Sequence, residues 1–162
     1  MDNQQATQTD LAWLAGIIDG EGYVTLAGRK QRTRPNYIAC LEITNTEALL
    51  IQRVQRICGQ LGVHLHLKEF APRSGCKVAW KLEAHRFTSV GPILVATLPY
   101  LTGKARRAIK VLDFIHRRQS YGEQHPPYTP VEYALVVEVQ DLVRNGESSQ
   151  AIRETLRRKP QR

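Results

Sequence analysis

The order in which two hydrophobic periods alternate along the chain predicts its fold. Segments with an apolar residue every three or four positions are typical of helices, and segments with one at every second position are typical of half-buried strands. The predicted helices are 8–19, 46–61, 86–98, 104–119, 130–144 and 149–158. The predicted strands are 23–29, 37–44, 63–70 and 77–84. This order predicts an α+β protein, αββαββα with C-terminal helices, whose two hairpins form a four-stranded antiparallel sheet.

Sequence signals at the helix ends refine these boundaries. Thr7 and Thr129 are expected to cap the first and fifth helices, and Asn45 is expected to cap the second. The third helix is expected to be interrupted near Gly91-Pro92. The apolar spacing predicts a buried side of the second and fourth helices, formed by Leu49, Ile51, Val54, Ile57, Ala108, Val111, Leu112 and Ile115.

The end of the first helix carries two acids that local stability does not favour. Asp19 and Glu21 alternate with Gly20 and Gly22, although a helix C-terminus already bears partial negative charge. A cation bound by a carboxylate and a bare carbonyl would remove this conflict, and such hard oxygen ligands suit Mg²⁺ or Ca²⁺. An ordinary Asp-Gly turn after a buried helix is the alternative interpretation.

Length and charge bound the class of protein. The chain has 162 residues, 23 Lys and Arg against 15 Asp and Glu, and a formal net charge of +8. We predict one domain over 7–145 with a helical extension over 146–162. The charge favours a polyanionic partner, either nucleic acid or an anionic membrane surface, over a merely soluble basic protein.

The cellular setting follows from what the sequence lacks. No apolar run approaches the ~20 residues that span a bilayer, and the first residues do not resemble a secretion signal. Cys40, Cys58 and Cys76 are odd in number and lack CxxC spacing. We therefore expect reduced thiols and an intracellular protein, in cytoplasm or an organelle matrix, that is neither secreted nor membrane-bound.

The polar faces of the strands and the basic turn of the first hairpin form a candidate surface for double-stranded DNA. A DNA major groove admits a two-stranded ribbon, in which basic side chains contact phosphates and guanines. The candidate contacts are Arg29, Lys30, Arg32, Arg34, Asn36, Glu42, His64, His66, Lys68, Lys77 and Lys81. An ordinary amphipathic sheet with a solvated face is the alternative. The His64-x-His66 pair permits a metal, but no third ligand is evident.

The stretch 14–22, LAGIIDGEG, resembles the signature of the LAGLIDADG homing endonucleases. Glu21 stands where the family more often has Asp, and the motif occurs once. The run 99–101, Pro-Tyr-Leu, precedes Lys104 at the spacing at which the family carries an active-site lysine. Asn45 matches the family's polar residue after the second strand. A further basic residue of the family is replaced by Leu49, and whether Arg53 substitutes stays open.

The resemblance implies a homodimer, because one motif supplies half an active site. The implied interface residues on the first helix are Ala12, Ala15, Gly16 and Asp19. Glu21 and the Gly20 carbonyl would hold Mg²⁺, with Mn²⁺ a possible replacement and Ca²⁺ binding without supporting cleavage. Lys104 and Asn45 would complete the catalytic set, and Arg106 would join the DNA contacts. The implied activity is a staggered double-strand break in a long, near-palindromic site, through a saddle-like sheet, promoting intron mobility.

Binding proteins of the same fold are the alternatives to a nuclease. An RNA-splicing maturase would clamp intron RNA, and a transcription regulator would bind DNA without cutting it. A protein-binding domain that uses the first helix only to dimerise is a third possibility.

Overall fold

The computed structural model describes residues 5–29, 36–71, 75–124 and 126–146, and it confirms the α+β order αββαββα. The helices are α1 Gln8–Glu21, α2 Ala48–Gln60, α3 Phe87–Thr97, α4 Ala105–Ser120 and α5 Pro130–Asn145. The strands are β1 Gly22–Arg29, β2 Asn36–Asn45, β3 His66–Phe70 and β4 Ala79–Ala84. The predicted helix 149–158 lies outside the described residues. Within them, no helix is long and apolar enough to cross a membrane.

The four strands form one antiparallel sheet in the order β1-β2-β4-β3, so that β1 and β3 are its edges. Alternate residues of each strand face the helices, as the two-residue period predicts. This buried face consists of Val24, Leu26, Ala39, Leu41, Ile43, Leu82 and Ala84. The opposite face presents Tyr23, Glu42, Lys81, Glu83, His66 and Lys68, which the strand register brings side by side.

The predicted N-caps of α1 and α5 are confirmed. The Thr7 hydroxyl accepts a hydrogen bond from the Asp10 N–H at 3.1 Å, and Thr129 forms a reciprocal capping box with Glu132. The predicted interruption of α3 is wrong, because the helix continues through Pro92. A proline deprives the carbonyl four residues earlier of its partner, and that residue, Thr88, is itself exposed.

Two details of the predicted pattern also require correction. Leu49 was expected in the core but is 80 % exposed, because it lies opposite Ile51 and Val54 on the helix. The strands of the second hairpin are shorter than predicted, so His64 and Lys77 precede β3 and β4. Ile51, Val54, Ile57, Ala108, Val111 and Ile115 are buried as expected.

The three cysteines are reduced thiols, as the sequence predicts. Cys40 and Cys58 are buried and Cys76 is exposed. Burial raises the pKa of the Cys58 thiol to about 12, which keeps this thiol protonated and unreactive at neutral pH.

Candidate active site and nucleic-acid interface

The C-terminus of α1 and the N-terminus of α4 satisfy each other's backbone hydrogen-bonding groups. The Asp19 carboxylate accepts hydrogen bonds from three backbone N–H groups, those of Thr102 at 2.7 Å, Gly103 at 3.0 Å and Lys104 at 2.8 Å. The Lys104 ammonium donates to the carbonyls of Ile18 at 2.8 Å and Asp19 at 2.5 Å. An anion thus meets the positive end of one helix and a cation the negative end of the other. The charge conflict that the sequence suggests at Asp19 is therefore relieved within the chain, by the backbone N–H groups before α4 for the carboxylate and by the Lys104 ammonium for the helix-end carbonyls.

The exposed stripe of α1 is narrower than the sequence predicts. Ala12, Gly16 and Gly20, spaced four apart, are exposed. Ala15 was expected on the same stripe but is fully buried, because the helical period places it beside Ile18. Asp19, also expected at an interface, is committed to α4 of its own chain.

Glu21 differs from Asp19 in its surroundings. It is the last residue of α1 and is exposed, and among the described residues no hydrogen bond or ion pair engages its carboxylate. The last helical hydrogen bond runs from the Gly22 N–H to the Ile18 oxygen, so the Gly20 carbonyl lies beyond the helical ladder. A carboxylate beside a carbonyl is a hard-oxygen donor set that fits Mg²⁺.

The fold brings the three predicted catalytic residues to one end of the molecule. Lys104 touches the last turn of α1. Gly22 pairs with Ile43 across the sheet, which places the end of β2, at Asn45, beside the Glu21 end of α1. The Asn45 side chain does not cap α2 as predicted; its amide oxygen accepts from the Glu47 N–H at 2.9 Å in the turn before the helix.

Arg53, the candidate to replace the basic residue missing at Leu49, makes its contacts with the first turns of α1. Its guanidinium lies 3.4 Å from the Asp10 carboxylate and 4.2 Å above the Trp13 ring. These partners belong to the first turns of α1. About three helical turns, or roughly 16 Å, separate Asp10 from Glu21, and about two turns, or roughly 12 Å, separate Trp13 from it.

Gly22, the closing glycine of the motif, has a steric role. A Cβ built on it would lie 2.6 Å from the Ile18 oxygen and 2.8 Å from the Ile18 Cα. These atoms are backbone, so a side chain here requires the helix end to move. The same Ile18 oxygen accepts from Lys104, so Gly22 also protects the contact between α1 and α4.

A charge network occupies the middle of the solvated sheet face. Lys81 Nζ lies 2.9 Å from Glu42 and 2.7 Å from Glu83, and Lys68 Nζ lies 2.6 Å from the other Glu83 oxygen. The His85 ring lies 3.7 Å from Glu83. The prediction included Glu42, Lys68 and Lys81 but missed Glu83 and His85. The period of two on β4 could have found Glu83, two residues after Lys81.

The other predicted DNA contacts are distributed around this network. His64, His66, Lys77 and Arg106 are exposed. Asn36 begins β2 and accepts a hydrogen bond from the Tyr128 hydroxyl at 3.4 Å. Arg29 ends β1, while Lys30, Arg32 and Arg34 lie outside the described residues.

The ion pairs of Glu83 make the stability of the fold depend on pH in the acid range. Hydrogen bonds from Lys68 and then Lys81 lower its pKa from 4.5 to about 2. A carboxyl whose pKa is lower in the folded state stabilises the fold fully above the unfolded pKa, and this contribution is lost as the pH falls through the folded one. Glu83→Gln should therefore lower the free energy of unfolding at pH 7 by about 1–3 kcal/mol. The deficit should shrink between pH 4.5 and pH 2 in urea titrations.

The exposed Glu69, on the neighbouring edge strand β3, provides the control. Glu69→Gln should leave the stability at pH 7 within about 0.5 kcal/mol of the parent chain. A Glu83→Gln deficit that does not change between pH 7 and pH 2 would show that the ion pairs are not its cause.

The motif helix, the sheet and the junction of α1 with α4 define the class of this domain. A family model described as a LAGLIDADG-like domain matches residues 8–98, more than half of the chain. The chain therefore belongs to this family. A comparison with curated proteins finds no match.

Solved structures of homing endonucleases share the fold. I-CvuI, crystallised with its target and Ca, is 21 % identical with a TM-score of 0.65, covering 92 % of this chain and 93 % of its own. I-TnaI is 10 % identical with a TM-score of 0.57, covering 90 % and 93 %. The group I intron-encoded I-CeuI, complexed with DNA, is 14 % identical with a TM-score of 0.59, covering 93 % and 72 %.

Proposed function

We propose that this chain is a site-specific DNA endonuclease that acts as a homodimer on a long, near-palindromic site. The observation that carries the proposal is the difference in surroundings between the two motif acids, Asp19 and Glu21. The Asp19 carboxylate is hydrogen-bonded to the backbone at the start of α4, whereas Glu21 is exposed at the end of the same helix. Among the described residues, no hydrogen bond or ion pair engages the Glu21 carboxylate. This carboxylate is therefore available to bind a metal ion.

DNA is the partner that the charge and the comparisons support. The net charge of +8 favours a polyanion. The solvated face of the sheet offers both donors and acceptors, which can contact base edges and phosphates. The structures of I-CvuI and I-CeuI contain DNA, and both share this fold.

The homodimer rests on the exposed stripe of α1. Ala12, Gly16 and Gly20 carry almost no side chain, so a second copy of α1 can approach closely along them. This approach would bring two Glu21 carboxylates to the twofold axis, one for each DNA strand. A single motif is then sufficient for a cut in both strands.

Mg²⁺ is the proposed cofactor, held by Glu21 and the Gly20 carbonyl, with Mn²⁺ as a substitute. When bound, a divalent ion acidifies a water molecule and neutralises charge on the leaving 3′ oxygen. The Lys104 ammonium, fixed by the Ile18 and Asp19 carbonyls, adds positive charge near the scissile phosphate. Asn45 offers an amide at the same end of the sheet.

A non-cleaving DNA-binding protein of the same fold is the second candidate. Two features favour it. Leu49 is 80 % exposed where the motif comparison expects a basic residue, and the Lys104 ammonium already binds two carbonyls. Both features weaken the catalytic set without affecting the sheet.

A cleavage selection separates the two candidates. The full chain is incubated with a library of randomised, near-palindromic duplexes, and cut ends are captured and sequenced. We expect staggered cuts in one group of related sites with Mg²⁺, binding without cutting with Ca²⁺, and no cutting with EDTA. Binding without cutting in both Mg²⁺ and Mn²⁺ would support the second candidate. Absence of binding at low salt would contradict both.

A further inference from the structure

Three side chains on the solvated face of the sheet come close enough to share one metal ion. Ligand atoms of Glu42, Glu83 and His85 all lie within 4.8 Å of one another. Within the described ranges of the chain, no other three histidine, cysteine or acidic side chains meet in this way. Glu83 and His85 also line an open cleft of about 510 Å³, so a dissolved ion can reach them.

The strand register explains why these three side chains meet. Glu42 of β2 stands directly opposite Glu83 of β4, and His85 follows Glu83 by two positions, on the same face. Like charges directly opposite each other destabilise a sheet. The Lys81 ammonium offsets this repulsion on one side of the pair, since it lies 2.9 Å from Glu42 Oε2 and 2.7 Å from Glu83 Oε1. The other oxygen of each carboxylate faces the His85 ring.

The spacing on the His85 side fits a shared ion better than it fits a hydrogen bond. His85 Nε2 lies 3.9 Å from Glu42 Oε1 and 3.7 Å from Glu83 Oε2. A hydrogen bond would bring such atoms to roughly 2.7–3.2 Å. Two ligands of one tetrahedral zinc ion, with bonds of about 2.1 Å, lie about 3.4 Å apart. Small side-chain rotations therefore close the three ligand atoms around one ion.

The buried Cys40 thiol holds the histidine ring in the orientation that metal binding requires. Cys40 Sγ lies 3.5 Å from His85 Nδ1 and 3.9 Å from the Ile38 carbonyl oxygen. When the thiol donates to this carbonyl, its sulfur accepts from an Nδ1–H group. This tautomer leaves the lone pair of Nε2 for an ion. A ligand histidine usually has its other ring nitrogen engaged by the protein in this manner.

Ion pairs with lysine are the competing use of the two carboxylates. The Lys68 ammonium lies 2.6 Å from Glu83 Oε2, the oxygen that faces His85, so a metal ion must replace it there. The Lys68 side chain is 50 % exposed and can return its charge to water, and such exposed pairs contribute little to stability. Lys81 can stay in place, because it binds the other oxygen of each carboxylate.

We propose that Glu42, Glu83 and His85 form a binding site for one Zn²⁺ ion or a similar first-row transition metal. One imidazole nitrogen and two carboxylate oxygens supply three protein ligands, and water completes the tetrahedron. The imidazole distinguishes this site from the Mg²⁺ site proposed at Glu21, because Mg²⁺ selects oxygen ligands. The ion cross-links β2 to the end of β4 and replaces Lys68 at Glu83. The site depends on neither DNA binding nor cleavage.

Zinc titration of the full, metal-free chain against a chromophoric chelator tests this site. The parent chain should bind one Zn²⁺ ion per chain and melt at a higher temperature when loaded. His85→Gln should weaken the affinity by about 100-fold or more, since losing even an outer-shell partner of a ligand costs roughly 10–100-fold. It should also abolish the rise in melting temperature. Glu42→Gln, which leaves Lys81 paired with Glu83, should weaken the affinity by at least about tenfold.

His64→Gln is the matched control, because this exposed histidine lines the same cleft but does not belong to the three ligands. It should leave the zinc affinity unchanged. Zinc bound by His85→Gln as tightly as by the parent chain would refute the site. Loss of zinc with His64→Gln alone would assign the ion to the pair of His64 and His66 and refute it too. A near-ultraviolet thiolate band in the Co²⁺-loaded chain that Cys40→Ser abolishes would contradict the ligand set. None of these results would alter the proposed endonuclease, whose metal is assigned to Glu21.

Discussion

Glu21→Gln is expected to lower the rate of DNA cleavage at saturating enzyme by on the order of 10³-fold or more. Glutamine keeps the size of the side chain but removes the charge that would hold a divalent ion. The residue is exposed and ends α1, so the fold should be unaffected. Affinity for the duplex in Ca²⁺-free buffer should stay within about threefold, since this carboxylate is not part of the sheet surface. Single-turnover cleavage and titration of labelled DNA measure the two quantities.

Glu123→Gln is the matched control for this loss. Glu123 is an exposed acid in the turn after α4, and its replacement should change neither cleavage nor binding. Asp19→Asn is a useful contrast. This change weakens the hydrogen bonds that the Asp19 side chain accepts from three backbone N–H groups. It should therefore lower thermal stability as well as activity. Cleavage by Glu21→Gln at a rate near that of the parent chain would remove Glu21 from the chemistry.

Gly22→Ala is expected to lower the free energy of unfolding by about 2–3 kcal/mol. The new methyl group would overlap the Ile18 oxygen at 2.6 Å, and only a shift of the helix end can relieve this contact. That shift would also displace the carbonyl that accepts from Lys104. Chemical denaturation followed by circular dichroism measures the stability, and cleavage should slow in the material that remains folded.

Gly59→Ala separates this steric effect from the general effect of removing a glycine. Gly59 lies in α2, and a Cβ there would meet nothing within 4 Å. Alanine in a helix is more favourable than glycine by up to about 1 kcal/mol, so this variant should be neutral or more stable. If Gly22→Ala were equally neutral, the helix end would be more adaptable than its contacts indicate.

Local patterns in the sequence predicted the five α-helices and four strands that the described residues form. Caps at Thr7 and Thr129 depend on residues three positions apart, so they are visible in the sequence and are present in the structure. The alternation in the strands identified the face that carries Glu42 and Lys81. The LAGIIDGEG stretch identified the family, which the match over residues 8–98 confirms.

Several errors arose where a residue's partner is distant in the sequence. Asp19 and Lys104 are 85 positions apart, and no local rule indicates that each completes the other's helix end. Ala15 was assigned to an outer stripe although its neighbours in space belong to the core. Glu83 escaped notice because an acid on a basic face becomes meaningful only once Lys68 and Lys81 are seen to surround it.

The contact of Asp19 with α4 has a consequence for how such sequences diverge. Folding alone is a sufficient reason to retain the first acid of the motif, since three N–H groups depend on it. A descendant that abandoned DNA cutting would still need Asp19, whereas no contact among the residues that the structure describes would preserve Glu21. The second acid is therefore the position at which an inactive lineage should first become recognisable.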